Sequence, residues 1–148
     1  MENSGFLIKP EIPEKHYDDV CAAIQISGQI CITAKKIIVL SVLQAQNLYL
    51  EGPEIIRTIA AHHLANKKLP FYLVEGENAI EQLYQICGTS TDPQRCKKGT
   101  IRYVFGRTEP LILPSGKIFY FNGIHRPVDN TEAEHLVELF KSLNPVPP

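Results

Sequence analysis

Apolar, strand-like segments alternate with segments of helical periodicity along almost the whole of the 148-residue chain, and this alternation restricts the fold more than any other feature. The strand-like segments are rich in β-branched and aromatic residues, whereas the helical segments space their apolar residues three or four positions apart. With about four strands, the order predicts an α+β sandwich in which one antiparallel or mixed sheet carries helices on a face. The ferredoxin-like arrangement is the leading candidate.

The predicted elements follow from these patterns together with helix-capping and turn residues. The predicted strands are 5–10, 29–41, 69–74 and 117–125, and the predicted helices are 14–27, 42–49, 53–64, 79–87 and 130–143. Asn78 is a predicted N-cap, and Asp129 with Glu132 predicts a capping box. Segment 100–105 fits either a helix or a strand, and segment 106–116, with two prolines, is predicted to be an exposed excursion.

Length and composition favour one globular domain spanning residues 1–148. The chain is 44% hydrophobic and 21% charged, and its formal net charge of -1 argues against a nucleic-acid-binding surface. No segment approaches the roughly 20 apolar residues of a membrane-spanning helix. The chain opens without a secretory signal, so we expect an intracellular, cytoplasmic protein with no membrane partner.

Neither the cysteines nor the histidines form a metal-binding pattern. The four cysteines are widely spread and have no Cys-x-x-Cys pair, which favours reduced thiols. His62 and His63 are neighbours, so their side chains point about 100° apart on a helix and make a poor metal pair. We therefore interpret both as ordinary helix residues and predict no metal ligands in the chain.

The segment 121–127 contains the most prominent candidate for chemistry. It ends a predicted strand on His125, two residues after Gly123, and turns at Arg126-Pro127. A histidine at the end of a strand presents its imidazole at the sheet edge, where a cleft can form. A single histidine is also common at structural positions, so the interpretation depends on the rest of the chain.

Four short motifs follow one another in a fixed order. They are Ile8-Lys9-Pro10, Glu75-Gly76-Glu77-Asn78, Gly99-Thr100-Ile101-Arg102 and Asn122-Gly123-Ile124-His125. Each motif alone is weak, but together, in this order and spacing and over nearly the whole chain, they resemble nucleoside diphosphate kinases. The resemblance implies the fold of that family, a ferredoxin-like sandwich with a four-stranded antiparallel sheet covered by helices.

The resemblance also implies a mechanism. In that family a histidine takes the γ-phosphate of a nucleoside triphosphate and passes it to a nucleoside diphosphate, with magnesium as the cofactor. His125 falls on the position of this nucleophile, and a neutral imidazole nitrogen is suited to forming an N–P bond that transfers readily. The family assembles from dimers into larger homo-oligomers, which we expect here as well.

The same resemblance assigns the nucleotide-binding residues. Lys9 and Arg102 match phosphate-binding residues, and Asn122 matches an asparagine that contacts the sugar. Thr91, or Ser90 one residue earlier, falls near a threonine that contacts phosphate. Arg57 is a candidate for the arginine of the family's base-binding segment. In phosphoryl transfer such residues mainly position the phosphates and spread positive charge around the transferred group.

Several positions depart from the family. Arg126-Pro127 replaces the residues after the histidine and removes a supporting serine, and Leu136 stands where a glutamate orients the imidazole. Glu132, one turn earlier, is a candidate substitute for that glutamate. Losing an orienting group weakens a histidine nucleophile because its tautomer and ring angle are less fixed.

The nucleotide-binding half of the chain is altered as well. Segment 52–57 replaces the aromatic stacking segment, and Tyr84 replaces another arginine. Segment 108–116 is inserted between Arg102 and His125, flanked by Arg107 and Lys117, which are candidates for restoring positive charge.

These features leave two main hypotheses. The first is a divergent nucleoside diphosphate kinase that uses His125 and acts on nucleoside di- and triphosphates. The second is a catalytically weak or inactive domain of the same fold that serves as a nucleotide-binding or protein-interaction scaffold. A ferredoxin-like RNA-binding module is disfavoured by the net charge and by the lack of an aromatic pair on adjacent strands.

Overall fold

The computed structural model describes all residues from Met1 to Pro148. The strands are β1 (Glu2–Ile8), β2 (Ile30–Val39), β3 (Lys68–Gly76), β4 (Leu111–Ile112), β5 (Ile118–Phe119) and β6 (Ile124–His125). The helices are α1 (Tyr17–Gln25), α2 (Val42–Gln46), α3 (Glu54–Leu64), α4 (Ala79–Cys87), α5 (Ile101–Phe105) and α6 (Asn130–Ser142). Two short 3-10 turns lie at Glu14–His16 and Pro93–Arg95.

The main sheet has four strands in the order β2-β3-β1-β6. Every neighbouring pair in this sheet is antiparallel. This order, with helices between the strands, confirms the predicted ferredoxin-like α+β sandwich with a four-stranded antiparallel sheet. No helix of the structure is both long enough and apolar enough to cross a membrane.

Helices cover both faces of the sheet, where the sequence predicted helices on a face. One core cluster joins α1, α4 and α5 to Phe6 and Ile8 of β1. The second cluster joins α2, α3 and α6 to Leu7 on the opposite face of the same strand. Because successive side chains of a strand point to opposite faces, a central strand between two helical layers is buried along its length. Residues 4–8 are accordingly all buried, and β1 ends rigidly at the site described below.

The predicted last strand, 117–125, is wrong as a single element. Its first part, β5, pairs with β4 to form a separate two-stranded hairpin. Gly123 adopts a φ of 85°, a conformation that L side chains rarely adopt, and this turn separates the hairpin from β6. Only β6 joins the main sheet, with Leu7 opposite His125.

The helix termini of the structure agree in part with the helix caps predicted from the sequence. Segment 100–105 is a helix, α5, with a cap from the Thr100 side chain. The Asp129 carboxylate accepts a hydrogen bond from the Glu132 N–H at 2.9 Å, as predicted. The Glu132 carboxylate instead accepts from the Val128 N–H, one residue before the position that a capping box requires. Asn78 stands at the N-cap of α4, as predicted, but in a left-handed conformation and without a capping hydrogen bond from its side chain.

Candidate active site

Lys9 follows the last residue of β1 and lies at the bottom of the site. Its side chain is 5% exposed, and its Nζ donates a hydrogen bond of 2.7 Å to Asn122 Oδ1. Its backbone N–H donates to the Gly123 carbonyl. The amide of Asn122 in turn donates to the Thr91 carbonyl at 3.2 Å. The structure thus brings three of the predicted phosphate- and sugar-binding residues together.

His125 lies at the end of β6, next to the end of β1. Its imidazole is partly buried, and neither ring nitrogen has a hydrogen-bond partner within the chain. The ring of Tyr49 stands edge-on to it at a centroid distance of 4.9 Å. Tyr49 was not among the predicted site residues, and its only signal in the sequence is an aromatic residue between Leu48 and Leu50 in the segment that joins α2 to α3. The missing partner leaves the ring nitrogens of His125 free for a ligand.

Two buried arginines flank the end of β6. Arg102 is 4% exposed, and its guanidinium donates to the carbonyls of Ser90 and Ile124, each at 2.9 Å. Arg126 is also buried and donates to the Gly88 carbonyl at 2.7 Å. Sequence analysis counted Arg126 only as a departure from the family. Both side chains fix the loop that follows α4 against the strand that carries His125.

The buried cations lower one another's pKa values. Burial, followed by the charge of Arg102, lowers the pKa of Lys9 to about 7. Burial, followed by the charges of Lys9, Arg102 and Arg126, holds the pKa of His125 well below its usual range. Burial and Arg126 lower the pKa of Arg102 to about 10, so this guanidinium stays charged at neutral pH. The imidazole is therefore neutral at neutral pH and retains a nucleophilic lone pair.

Glu11 connects the site to α3. Its side chain is fully buried, one carboxylate oxygen lies 2.7 Å from His63 Nε2, and the other accepts the Gly123 N–H at 2.9 Å. Burial raises the pKa of Glu11, but the hydrogen bond to His63, the charge of Lys9 and the Gly123 N–H together lower it to about 2. His63 is thus a buried partner of the site, whereas the sequence treated it as an ordinary helix residue.

A cavity of about 400 Å³ opens above Lys9. Lys9, Asn122 and Thr91, which are linked by hydrogen bonds, line it together with residues of α3 and of the segment around β5. The residues of α3 are Ile56, Arg57 and Ala60, and those of the segment around β5 are Lys117, Ile118, Phe119 and Tyr120. These hairpin residues directly follow the inserted segment, whose own residues line no part of the cavity and are exposed or partly exposed, as predicted. The size of the cavity lies within the range of pockets that bind small molecules and cofactors.

Aromatic contacts hold the hairpin against α3. The ring of Phe119 lies 5.1 Å from that of Phe121, and His63 stands edge-on to both rings. The guanidinium of Arg107 lies 4.6 Å from the centre of the Phe121 ring. Arg107 therefore packs on the hairpin base and does not line the cavity, whereas Lys117 does.

The predicted site residues thus form one group with two parts. Lys9, Asn122, Thr91 and Arg57 line the cavity. His125 and Arg102 lie beside it: Arg102 bonds to the Ile124 carbonyl, and His125 packs on Tyr49, which is itself a cavity residue. The predicted residues therefore converge from five separate segments of the chain.

No orienting group touches His125. Leu136 is 1% exposed and packs in the core cluster that contains Leu7 and Phe71. The Glu132 carboxylate binds the Val128 N–H and makes no hydrogen bond to the imidazole. Glu132 does line a small cavity beside His125. Glu132, the candidate substitute for the lost glutamate, therefore lies near His125 without a hydrogen bond to its imidazole.

The protein is a ferredoxin-like sandwich in which a neutral histidine lies among buried cations, next to a cavity of about 400 Å³. These features together are typical of proteins that bind nucleotides and transfer their phosphate groups. The family model described as nucleoside diphosphate kinase matches residues 2–143. The chain belongs to the nucleoside diphosphate kinase family. Family membership and fold support nucleoside diphosphate kinase activity.

Individual relatives agree with this assignment. The nucleoside diphosphate kinase of Chlamydia caviae is 30% identical over 111 residues, which cover 73% of this chain and 77% of that protein. The corresponding protein of Chlamydia trachomatis is 28% identical over 112 residues, with the same two coverages. A transition-state mimic of the nucleoside-diphosphate kinase from Borrelia burgdorferi, with bound vanadate and ADP, superimposes with a TM-score of 0.82 at 20% identity, covering 99% of this chain and 92% of that one. This likeness supports the fold.

Proposed function

We propose that the chain transfers the γ-phosphate of a nucleoside triphosphate to a nucleoside diphosphate through a phosphohistidine at His125. The observation that carries the proposal is an imidazole without a hydrogen-bond partner at the end of β6, next to the end of β1 that leads into buried Lys9 and to the Ile124 carbonyl that binds Arg102. Burial and the charges of Lys9, Arg102 and Arg126 hold the pKa of this imidazole well below its usual range. A lone pair on such a ring is available to phosphorus, while the surrounding charges favour the phosphates.

The proposed reaction has two balanced half-steps. In the first, a ring nitrogen of His125 attacks the γ-phosphorus of the triphosphate. An N–P bond forms, the bond from phosphorus to the β–γ bridging oxygen breaks, and the nucleoside diphosphate leaves with that electron pair. In the second, a terminal phosphate oxygen of another nucleoside diphosphate attacks the same phosphorus, and the N–P electron pair returns to the imidazole. No oxidant or further reactant is needed.

The remaining residues have positioning roles in this proposal. Lys9 and Arg102 hold the phosphates, and Asn122 holds the sugar while it fixes the Lys9 ammonium through their 2.7 Å hydrogen bond. Thr91 and Arg57, which both line the cavity, contact the nucleotide. The base lies between α3 and the hairpin. This arrangement keeps the phosphate end of the ligand at the end of the cavity nearest His125.

We propose that magnesium enters the site with the nucleotide. Glu51 is the single carboxylate among the residues that line the cavity, which fits an ion held mainly by phosphate oxygens and water. When bound there, the ion offsets negative charge on the phosphate chain. Lys9 and Arg102 then need to neutralise only the rest of that charge.

Phosphate incorporation from γ-labelled ATP tests this function. We expect an acid-labile, base-stable label on the wild-type protein and none on His125→Gln. The matched control is His62→Gln, an exposed histidine on α3, which keeps the label. A second incubation with unlabelled GDP is expected to move the label from protein to GTP.

Absence of label on the folded wild-type protein, with any nucleoside triphosphate and magnesium, would overturn the enzyme proposal. Thermal unfolding with ADP, GDP and ATP then separates the alternatives. A nucleotide that raises the melting temperature without labelling the protein would favour the nucleotide-binding scaffold.

We also propose a homo-oligomer built from dimers. A supporting feature is β2, a ten-residue strand at one edge of the sheet that pairs with β3 alone. The C-terminal tail covers part of this edge, because the Ile37 carbonyl accepts the Val146 N–H. Light scattering across a range of concentrations tests the proposal. A particle with the mass of one chain throughout would contradict it.

A further inference from the structure

Arg126 is a buried cation with most of its hydrogen-bonding capacity unused. It is 7% exposed, its guanidinium donates once, to the Gly88 carbonyl, and its buried Nε has no partner. A guanidinium carries five N–H donors, and a buried donor without an acceptor lowers the stability of the fold. Its flat face lies 4.5 Å from the centre of the Tyr84 ring on α4. A side chain held in this way has donors left for a ligand.

Arg126 also belongs electrostatically to the site at His125. The charge of Arg126 contributes to lowering the pKa of Lys9, of His125 and of Arg102. Hydrogen bonds place Arg126 beside the other site residues as well. Arg126, Arg102 and Asn122 donate to the carbonyls of Gly88, Ser90 and Thr91, which lie within four consecutive residues of one loop.

The buried charges around the site do not balance. Lys9, Arg102 and Arg126 are the cationic residues that the fold buries. Against them stands the fully buried carboxylate of Glu11, which is already engaged by His63 and the Gly123 N–H. Uncompensated buried charges are strongly destabilising, so the arrangement calls for a multiply charged anion.

We propose that Arg126 binds the phosphate chain of the nucleotide, as a third cation beside Lys9 and Arg102. The inference deepens the proposed function and rests on it for the identity of the ligand. A bound polyphosphate supplies hydrogen-bond acceptors to the unpaired N–H groups of this guanidinium, and its negative charge balances the buried positive charge. Arg126 is thereby a binding residue of the site rather than only a break in the motif after His125.

A structural role is the competing explanation. The bond to the Gly88 carbonyl and the contact with Tyr84 anchor the end of α4, which requires no ligand. The two explanations differ in what removal of the guanidinium does to a folded protein. A binding role changes the affinity for phosphates, whereas a structural role changes only the stability.

Calorimetric titration with pyrophosphate, ADP and adenosine tests the proposal. We expect Arg126→Gln to weaken pyrophosphate and ADP binding roughly tenfold to a hundredfold, the loss of one to two charge-assisted hydrogen bonds. Adenosine binding is expected to stay unchanged. Arg95→Gln is the control, because that arginine lies in the neighbouring loop with a side chain that is 82% exposed.

Two further variants keep the test decisive if Arg126→Gln fails to fold. Arg126→Lys retains the charge without the planar fork and is expected to bind pyrophosphate with intermediate affinity. The double variant Tyr84→Arg with Arg126→Gln returns a guanidinium to the same space from α4 and is expected to recover most of the lost affinity. Folding of each variant is checked by its thermal transition.

The outcomes separate this inference from the proposed function. Pyrophosphate binding that depends on Arg126 in a protein that takes no label on His125 supports the inference and contradicts the catalytic proposal. Label on His125 with unchanged pyrophosphate affinity in folded Arg126→Gln overturns the inference alone. A wild-type protein that binds neither pyrophosphate nor ADP overturns both.

Discussion

Lys9 Nζ donates a 2.7 Å hydrogen bond to Asn122 Oδ1 across 113 residues of chain. The bond joins the end of β1 to the segment before β6, and the Lys9 N–H bonds to the Gly123 carbonyl in the same place. The ammonium is therefore held in position before any ligand arrives. Such preorganisation reduces the entropy that binding must overcome.

The first prediction concerns proton uptake at Lys9. Its pKa is about 7 in the free protein, because burial and Arg102 disfavour the charged form. A bound polyphosphate favours the ammonium and raises that pKa, so ADP binding is expected to take up a proton above pH 7 and to weaken as the pH rises. Titrations in buffers of different ionisation enthalpy measure the uptake. A Lys9→Arg variant, charged throughout, is expected to lack it, and equal uptake in both proteins would contradict the assignment to Lys9.

The second prediction is the effect of Lys9 on stability. Its folded pKa of about 7 lies below the ordinary value of 10.5, so between these values the unfolded chain binds more protons. The free energy of unfolding therefore gains a contribution as the pH rises from about 7 towards 10.5. We expect Lys9→Met to remove this rise, whereas Lys97→Met, at an exposed loop position, retains it. Chemical denaturation at pH 7 and pH 9.5 measures the difference, and parallel slopes for wild type and Lys9→Met would contradict it.

The resemblance of four ordered motifs to the family identified Lys9, Asn122 and His125 as candidate site residues. Local patterns predicted only their positions, since Lys9 follows an apolar strand that ends at proline, and Asn122 and His125 lie close together before a final helix. Contacts between distant segments leave no such local pattern. The pairing of Glu11 with His63 and the packing of Arg126 on Tyr84 are therefore visible only in the fold.

The third prediction is the acid sensitivity conferred by Glu11. Its folded pKa of about 2 lies below the ordinary 4.5, so its stabilising contribution is complete above about pH 4.5 and is lost as the pH falls towards 2. We expect Glu11→Ala to lower the free energy of unfolding by roughly 3 kcal/mol at pH 7, because it leaves His63 and the Gly123 N–H without their acceptor. Urea denaturation at pH 7 and pH 3 measures both effects. The exposed Glu14→Ala is the control, and equal losses in the two variants would contradict a special role for Glu11.

The hairpin shows why one prediction failed. Residues 117–125 are apolar enough to suggest a continuous strand, and nothing in that composition marks a change of sheet. The positive φ of Gly123 turns the chain, and the Glu11 carboxylate accepts the N–H that this turn exposes. The N–H acceptor comes from a segment more than 100 residues away. The break therefore depends on a tertiary contact rather than on local propensity.

The fourth prediction assigns the nucleoside end of the cavity to the hairpin. Tyr120 lines the same cavity as Lys9, Thr91 and Asn122, the residues proposed to bind the phosphates and the sugar. We expect Tyr120→Ala to weaken ADP binding about tenfold, by loss of aromatic contact with the base, without changing pyrophosphate binding. Tyr103→Ala, on α5 with 40% of its surface exposed, is the control. Calorimetry with both ligands measures the two effects, and parallel losses of ADP and pyrophosphate affinity would place Tyr120 elsewhere.

The fifth prediction concerns the protonation of His125. Burial and the charges of Lys9, Arg102 and Arg126 hold its pKa well below 6.5, so the imidazole stays neutral when the pH falls through 6.5. The unfolded chain protonates there, so this histidine lowers the free energy of unfolding as the pH drops below 6.5. Nuclear magnetic resonance of the imidazole from pH 7.5 to 5.5, assigned with His125→Gln, is expected to show no titration of His125. A midpoint near 6.5 would mean that the cations lie too far from the ring to keep its lone pair free for phosphorus.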